Sequence, residues 1–301
     1  MEAAADKSVR AGYAFAVVSS FGAGLATVVG KWNLEAISAL VMSCMIFTTA
    51  TIALTIGWLP FRGWRKTFIL TRQGWFWLAL FTITSWLAIW FFWAGVRRMD
   101  PTLAAFVNRL EVPIVIFLGV LFLKERFTRT ETIGAVLSLI GIVLMKLTLR
   151  FEYSAGFWLV LLGALLFGIT EFVSKIAMRH VEPITLAYLR NMFMAAGYWV
   201  VFAGGGYTLD GLDRVWPGVL ALGLIGPILS RMMYMLALKR MELSKVAVIS
   251  QIQPIFVVLI ALIALGQLPT PREVAGGVFL IVGCVVMVVG RNWRHPLHGR
   301  P

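Results

Sequence analysis

The chain has 301 residues, of which 60% are hydrophobic and 14% are charged, and its formal net charge is +13. A soluble domain has roughly 45–50% apolar and 25% charged residues, so this composition excludes an ordinary soluble protein and indicates an integral membrane protein. The two cysteines, Cys44 and Cys284, lie in apolar runs and indicate neither a disulfide nor a metal or redox site.

Ten apolar windows are long enough to cross a bilayer, because a membrane-spanning helix needs about 20 predominantly apolar residues. In chain order they are residues 11–30, 36–59, 75–96, 102–123, 131–149, 156–176, 184–203, 217–238, 245–265 and 273–290. The first window is too long for the apolar region of a signal peptide, and Lys31 and Trp32 do not form a small-residue cleavage site. The sequence therefore predicts an all-α membrane protein with ten transmembrane helices, the first of which is not cleaved.

The basic residues are unevenly divided between the two sides of the membrane. With a cytoplasmic N-terminus, the cytoplasmic segments hold 17 Lys and Arg residues and the outer segments hold 7. Because basic residues concentrate in cytoplasmic loops, we expect a protein of the plasma (cell inner) membrane with both termini cytoplasmic. The basic stretch FRGWRK (61–66) contains Trp and is interpreted as an anchor to lipid headgroups. The expected partners are the lipid bilayer and a small-molecule solute, and no nucleic acid is expected.

The two halves of the chain repeat each other. Residues 124–145 align without a gap with residues 266–287 at an offset of 142, and the first window aligns with the sixth at an offset of 144. Because five helices are an odd number, a second copy enters the membrane from the opposite side. The sequence therefore predicts two inverted five-helix repeats, residues 1–150 and 151–301.

Glycines recur at seven-residue intervals in the fifth and tenth windows, at Gly134, Gly141, Gly276, Gly283 and Gly290. This spacing places small residues on one helix face, where a second helix can approach closely. We interpret these glycines as parts of the scaffold.

Short motifs occur in the same order in both halves. They are A-x-x-R-R-M (94–99), Pro113, L-K-E (123–125), Gly134 and Gly141 in the first half, and A-L-K-R-M (237–241), Pro254, Gly266, Gly276 and Gly283 in the second. This doubled set resembles the EamA-type family of the drug/metabolite transporter superfamily over essentially the whole chain. The resemblance implies a ten-helix exporter or exchanger of small metabolites with a central cavity. The halves differ at Gln267, which matches Glu125, and at Ser43, which matches Arg190.

Polar residues interrupt the fourth window in the stretch AFVNRLEVPIVIF (105–117), which contains Asn108, Arg109 and Glu111. A charged residue at the centre of a membrane helix costs roughly 2.5–3.5 kcal/mol, so these residues need compensation from protein partners or water. At 1.5 Å per residue, Glu111 lies about 15 Å from the outer end of its span, near the middle of the membrane. Pro113 cannot donate a hydrogen bond to the carbonyl of residue 109, so we expect a helix break there.

The ninth window carries matching polar residues and a second helix-breaking proline, at Ser250, Gln251, Gln253 and Pro254. The first cluster is charged and the second is neutral, which predicts an asymmetric pocket between them. Asn108 and Glu111 are three residues apart and share a helix face. Arg109 points elsewhere and is the candidate anchor for a carboxylate or phosphate. We predict that Gln251 and Gln253 bind the substrate together with these three residues.

The third window contains Trp86, Trp90 and Trp93 at positions i, i+4 and i+7, which lie on one helix face. One interpretation is ordinary packing in lipid or core, with Trp93 in the outer interfacial belt. The other makes Trp86 and Trp90 a flat apolar wall of the substrate pocket.

Three further charged residues, Glu171, Arg190 and Arg231, fall at about the same level within the sixth, seventh and eighth windows. The simpler interpretation is a structural or gating ion pair between Glu171 and one of the arginines, which holds the second half together. The alternative is a direct role in transport.

These features favour a secondary transporter of a small polar or amphipathic metabolite that alternates access around a midplane site. The sequence has no G-x-x-x-x-G-K-[ST] loop, so direct ATP drive is not expected. A carboxyl group near the membrane centre can exchange a proton as substrate binds, which makes Glu111 the candidate for proton coupling.

Two other classes of protein stay open at this stage. An intramembrane enzyme on a lipid or isoprenoid substrate would need clustered reactive groups, and His180, His295 and His298 all lie outside the ten windows. A structural or sensory membrane protein would leave the polar midplane helices unexplained. We therefore expect a transporter without a cofactor, a metal site or catalytic residues, and the sequence indicates no particular oligomeric state.

Overall fold

All regular elements in the described part of the chain are helices. The computed structural model describes residues 2–99, 104, 107–108, 110–125, 128–145, 155–265 and 271–292. The helices are α1 (Glu2–Ala36), α2 (Ala39–Gly57), α3 (Leu59–Arg62), α4 (Trp64–Phe68), α5 (Arg72–Val96), α6 (Glu111–Leu123), α7 (Arg129–Met145), α8 (Ala155–Ala177), α9 (Pro183–Gly204), α10 (Leu212–Gly223), α11 (Arg231–Arg240), α12 (Leu243–Ser250), α13 (Gln253–Leu265) and α14 (Pro271–Asn292). A π-helical segment, Leu224–Ser230, joins α10 to α11.

Six of the described helical stretches are long and apolar enough to cross a membrane: Arg10–Ala36, Ala39–Gly57, Arg72–Val96, Ala155–Ala177, Leu212–Arg240 and Leu243–Ile260. Shorter apolar helices occur at Ile114–Leu123, Thr132–Gly141 and Val274–Gly283. α9 has 22 residues but is less apolar, since Arg190 and Asn191 lie within it. The predicted all-α membrane protein is therefore confirmed for the described residues. Each of the ten predicted windows contains a helix, while the number of membrane crossings stays a prediction.

Local sequence explains where several helices begin. The backbone N–H of Val41 donates to Oγ of Ser38 at 3.2 Å, and that of Gly74 donates to Oγ1 of Thr71 at 3.0 Å. These side chains satisfy N–H groups that have no partner within α2 and α5. α9 begins at Pro183, where the missing N–H removes no helical hydrogen bond.

The helices of the fourth and ninth windows begin anew beside their prolines. α6 starts at Glu111, directly after a turn at Leu110. A turn at Gln251 and Ile252 separates α12 from α13, and Pro254 lies in the first turn of α13. A proline is tolerated in a first turn, so the chain starts a new helix instead of continuing one that the proline ring would distort.

The eighth window changes its hydrogen-bonding pattern in the middle. Residues Leu224–Ser230 are π-helical, and Pro227 lies among them. π-Helical segments are rare, and those that are found often lie at functional sites. This one lies beside the main cavity, which Gly226, Pro227 and Ser230 help to line.

The helices pack in pairs that draw on distant parts of the chain. Among the described residues, α7 and α14 make the most extensive contact, followed by α5 with α8, α2 with α9, and α1 with α11. The glycines at 134, 141, 276 and 283, which the sequence assigned to close packing, are buried in α7 and α14. Small buried residues allow helix backbones to approach closely.

α5 and α8 approach each other through glycines. A Cβ atom at Gly95 would lie 2.8 Å from the carbonyl oxygen of Gly156 and 2.9 Å from the amide nitrogen of Val160. A Cβ atom at Gly163 would lie 3.1 Å from the amide nitrogen of Phe92. The two backbones are therefore in direct contact, and any larger side chain at these positions has to separate them.

We predict that Gly95→Ala destabilises the protein, because the added methyl group would overlap backbone atoms of α8. Overpacking of this kind costs roughly 1–3 kcal/mol, so the unfolding temperature of the purified protein in detergent should fall. Gly197→Ala is the matched control, since the atom nearest to its added Cβ, Nε1 of Trp86, is 3.6 Å away. Equal unfolding temperatures for the two variants would contradict the close contact of α5 with α8.

Candidate functional site

A cavity of about 210 Å³ lies among helices from both parts of the chain. Apolar side chains that include Ile89, Phe92, Trp93 and Phe167 form one part of its wall, and polar and charged side chains form the rest. Pockets for drug-sized ligands span roughly 300–1,000 Å³. This cavity is smaller, so its size suits a small metabolite.

Polar residues from the two helix breaks meet at this cavity. Asn108, Glu111, Ser250 and Gln253 all line it. Nδ2 of Asn108 donates to Oε2 of Glu111 at 3.5 Å, and Nε2 of Gln253 donates to Oγ1 of Thr27 at 3.3 Å. Oδ1 of Asn108 is buried and accepts no hydrogen bond from a described residue. The clusters that were matched in the sequence thus face one space, and one buried acceptor among them has no described donor.

Charged residues that the sequence assigned to structure or gating also line the cavity. Nη1 of Arg231 donates to Oε1 of Glu171, and the two side chains form an ion pair. Arg190 is instead bound to neutral groups: its Nε donates to Oγ of Ser85 at 2.9 Å and its Nη1 to Oδ1 of Asn191 at 3.2 Å. Glu171, Arg190 and Arg231 therefore lie within reach of anything that enters the cavity.

Aromatic rings hold both guanidinium groups in place. Cζ of Arg190 lies 5.2 Å from the ring centroid of Phe81 and 5.7 Å from that of Phe47. Cζ of Arg231 lies 5.1 Å from the centroid of the same Phe81 ring and 5.4 Å from that of Tyr234. Each cation–π contact contributes about 0.5–2 kcal/mol, depending on solvent exposure. Phe81 thus stabilises two neighbouring cations.

The arrangement of the tryptophan side chains differs from the prediction that Trp86 and Trp90 form the apolar wall of the substrate pocket. Trp93 lines the main cavity, whereas Trp90 lines a second cavity of about 170 Å³ together with Arg97 and Tyr198. The ring centroids of Trp86 and Trp90 are 5.3 Å apart, and that of Trp86 is 5.4 Å from Tyr198. Trp86 and Trp90 pack against α9 because Tyr198 fills the space between that helix and α5. Phe92 and Trp93 supply the apolar wall instead.

Gln251, another predicted binding residue, is not among the described residues that line the main cavity. Gln251 is fully buried in the turn between α12 and α13, and neither its Nε2 nor its Oε1 bonds to a described residue. Arg109 lies outside the described residues, as does the side chain of Pro113.

Hydroxyl groups of α1 also line the cavity, and the sequence interpretation missed them. Ser20 donates from Oγ to the carbonyl of Ala16 at 2.8 Å, and Thr27 donates from Oγ1 to the carbonyl of Ala23 at 2.9 Å. Such back-bonds satisfy a hydroxyl hydrogen within an apolar helix and leave its oxygen free to accept. The seven-residue spacing of Ser20 and Thr27 places them on one face, and this signal was present in the sequence.

A buried carboxylate joins the end of α6 to the start of α12. Lys124 has φ 54°, a left-handed conformation that ends α6 and turns the chain back. Glu125 then accepts hydrogen bonds from the backbone N–H of Leu243 at 2.7 Å and of Ser244 at 3.0 Å, and a third from Oγ of Ser244. Its charge caps the positive end of α12 from another helix.

The cavity offers binding groups and no arrangement typical of a metal enzyme. Within the part of the chain that the structure describes, no three His, Cys, Asp or Glu side chains are grouped to hold a metal ion. The lining supplies guanidinium donors, carboxylate and amide acceptors, hydroxyl groups and aromatic rings. Such a set binds a small polar molecule through hydrogen bonds and ion pairs.

The sequence matches one protein family in both halves. The EamA-like transporter family matches residues 10–147 and again residues 154–289. An uncharacterized transporter of Synechocystis sp. is 21% identical over 234 residues, which cover 73% of this chain and 67% of that protein. A Salmonella typhimurium protein named "Probable amino-acid metabolite efflux pump" is 25% identical over 210 residues, which cover 65% of this chain and 70% of that protein.

A solved crystal structure has a similar fold, with a TM-score of 0.76 at 17% sequence identity over 94% of this chain and 98% of that chain. The double family match confirms the resemblance that the sequence motifs carry. Together with the apolar helices, it makes the protein an integral membrane transporter and not an enzyme. The chain belongs to the EamA-like transporter family.

Proposed function

We propose that the protein is a secondary transporter that exports or exchanges a small polar or amphipathic metabolite by alternating access about the main cavity. The observation that carries this proposal is the meeting of two interrupted helices at a cavity lined by Asn108, Glu111 and Gln253. Broken helices with polar residues near the midplane are typical of substrate sites in secondary transporters. The efflux pump named among the relatives supports export as the direction.

The proposal includes two inverted five-helix repeats, residues 1–150 and 151–301, in the inner membrane with both termini cytoplasmic. Matched lysines support the repeat. Nζ of Lys31 donates to the carbonyls of Val96 and Met99, each at 3.2 Å. At the sequence offsets of the repeat, the corresponding donor is Nζ of Lys175 and the corresponding acceptors are the carbonyls of Leu238 and Met241, which it contacts.

Matched glycines support the repeat as well. A Cβ atom at Gly24 would lie 3.0 Å from Cβ of Phe256. At the corresponding Gly168, it would lie 2.9 Å from Cβ of Ile114, which corresponds to Phe256. The helix contacts match in the same way. The contact of α5 with α8 corresponds to the contact of α11 with α1, and the contact of α6 with α8 corresponds to that of α13 with α1. Equivalent residues thus contact equivalent residues across the proposed axis.

The bonds from Leu243 and Ser244 to Glu125 are the proposed closure of the cavity on its cytoplasmic side. They join the first half to the second, because α6 and α12 belong to different repeats. In the proposed orientation the end of α6 and the start of α12 both face the cytoplasm. Opening the cavity to the cytoplasm requires these helix ends to separate, and the three bonds oppose that separation.

We predict that Glu125→Gln increases access to the cavity from the cytoplasmic side. A hydrogen bond to a charged group contributes about 1.5–3 kcal/mol, so a weaker cap should raise the open fraction about tenfold or more. The measurement is the alkylation rate of Ser20→Cys by an impermeant maleimide in oriented proteoliposomes, in a background where Cys44 and Cys284 are alanine.

Glu242→Gln is the matched control for this measurement. It makes the same chemical change at the residue directly before Leu243, but Glu242 is half-exposed and pairs with Lys245. Ion pairs at exposed positions contribute about 0–1 kcal/mol, so labelling should stay near the wild-type rate. Labelling of Glu125→Gln that is no faster than labelling of Glu242→Gln would show that these bonds do not close the cavity.

Glu111 is the proposed site of proton coupling. We predict that Glu111→Gln transports with a weaker response to an imposed pH gradient, because an amide cannot exchange a proton with the substrate site. The measurement is counterflow of labelled metabolites into proteoliposomes with and without the gradient. Glu35→Gln, on the exposed end of α1, is the matched control. An unchanged rate and pH dependence for Glu111→Gln would exclude the coupling role.

A further inference from the structure

Arg190 is a buried cation whose direct partners are neutral. Its side chain is 3% exposed, and it donates hydrogen bonds to Ser85 and Asn191. Among the described residues, no carboxylate forms an ion pair with it. Burying a charge without an opposite charge is expensive, and proteins pair such groups or provide them with a ligand. This guanidinium lies in the wall of the main cavity.

The surroundings of Arg190 carry an excess positive charge. Glu171 and Arg231 line the same cavity, and the guanidinium groups of Arg190 and Arg231 both contact the ring of Phe81. One oxygen of Glu171 is engaged by Arg231, so the three groups together carry a net charge of +1. Nε and Nη2 of Arg231 are buried and donate to no described residue. These three groups therefore contain one more cation than carboxylate, and Glu111 is the other carboxylate in the lining of the cavity. Oε2 of Glu171 is also buried and accepts from no described residue.

We propose that Arg190 and Arg231 form the subsite for the carboxylate of a small organic anion, which is the substrate class of this cavity. The proposal rests on the transport function proposed above and adds the chemistry that the site selects. A guanidinium group presents a planar set of N–H donors that matches a carboxylate. The rings of Phe47 and Phe81 hold these donors in place before the ligand arrives, which reduces the ordering needed on binding.

The other residues that line the cavity indicate the chemistry of the ligand outside its carboxylate. Phe92, Trp93 and Phe167 form an apolar wall suited to a short hydrocarbon or aromatic tail. Asn108 lines the same cavity and its Oδ1 has no described donor, which suits a ligand that also carries an ammonium or hydroxyl group. With a cavity of about 210 Å³, the fitting class is a small carboxylate with one apolar side chain.

The test compares three labelled probes that share an isobutyl group: leucine, 4-methyl-2-oxopentanoate and 3-methylbutan-1-amine. Counterflow into proteoliposomes of the wild-type protein is expected for the two carboxylates and not for the amine. Arg190→Gln should lower the apparent affinity for both carboxylates about tenfold or more. Arg190→Lys should lose less, because it keeps the charge and loses only the planar set of donors. Arg98→Gln, at an exposed arginine two residues beyond the end of α5, should leave the affinity for both carboxylates unchanged.

A second variant keeps the test valid if Arg190→Gln does not fold. Phe81→Leu preserves an apolar side chain and both arginines but removes the ring that positions them. It should therefore weaken carboxylate binding, while the unfolding temperature falls less than in Arg190→Gln. Binding of the unlabelled probes is measured in parallel by the shift of that temperature, which does not require transport.

Each outcome decides between the two proposals. Equal transport of the amine and the carboxylates, or carboxylate affinity unchanged in Arg190→Gln and Phe81→Leu, would overturn the subsite and leave the transporter standing. Competition by chloride as strong as competition by acetate would assign the cluster to an inorganic counter-ion and also overturn it. Failure of the wild-type protein to move any solute from a broad panel would count against the transport function itself.

Discussion

The low polarity of the bilayer is the constraint on which the rest of the structure depends. Any charge within the membrane must be hydrogen-bonded, paired or turned toward a wet cavity. Arg231 is paired with Glu171, and Arg190 is held by two neutral acceptors and two aromatic rings. Both arginines border the same space as Glu111. The free-energy cost of burying these charges thus arises at one cavity, where a bound ligand can offset it.

In the proposed repeat, the two halves supply a common scaffold but different chemistry. Glycines and lysines at matched positions make the same contacts in each half, which is what close helix packing and capped helix ends require. The polar groups do not match: Glu111 corresponds to Gln253, and Arg190 corresponds to Ser43. Ser43 needs no outside partner, because its hydroxyl donates to the carbonyl of Ala39 in its own helix. A symmetric frame therefore encloses an asymmetric site, and an asymmetric site can orient an asymmetric ligand.

Part of this arrangement follows from the sequence, and part does not. Apolar length determines where helices form, and the matched prolines place the residues beside them at one depth, so Asn108 and Gln253 reach the same cavity. The rotation of each helix about its axis is set by its neighbours, which a single sequence does not identify. The sequence therefore could not show which face of α5 lines the main cavity. In the structure Trp93 lines it, while Trp86 packs against Tyr198. For the same reason the sequence left open which arginine pairs with Glu171, and in the structure it is Arg231.

The contact between α6 and α12 extends the asymmetry from the site to the ends of the cavity. Glu125 accepts from two backbone N–H groups and one hydroxyl. In the proposed repeat its counterpart is Gln267, which carries no charge, and the counterpart of Leu243 is Pro101, which has no N–H to donate. A carboxylate cap is stronger than an amide cap with one donor fewer. The contact that we propose as the cytoplasmic closure therefore uses a charged group and a backbone donor that the matched positions of the sequence do not supply.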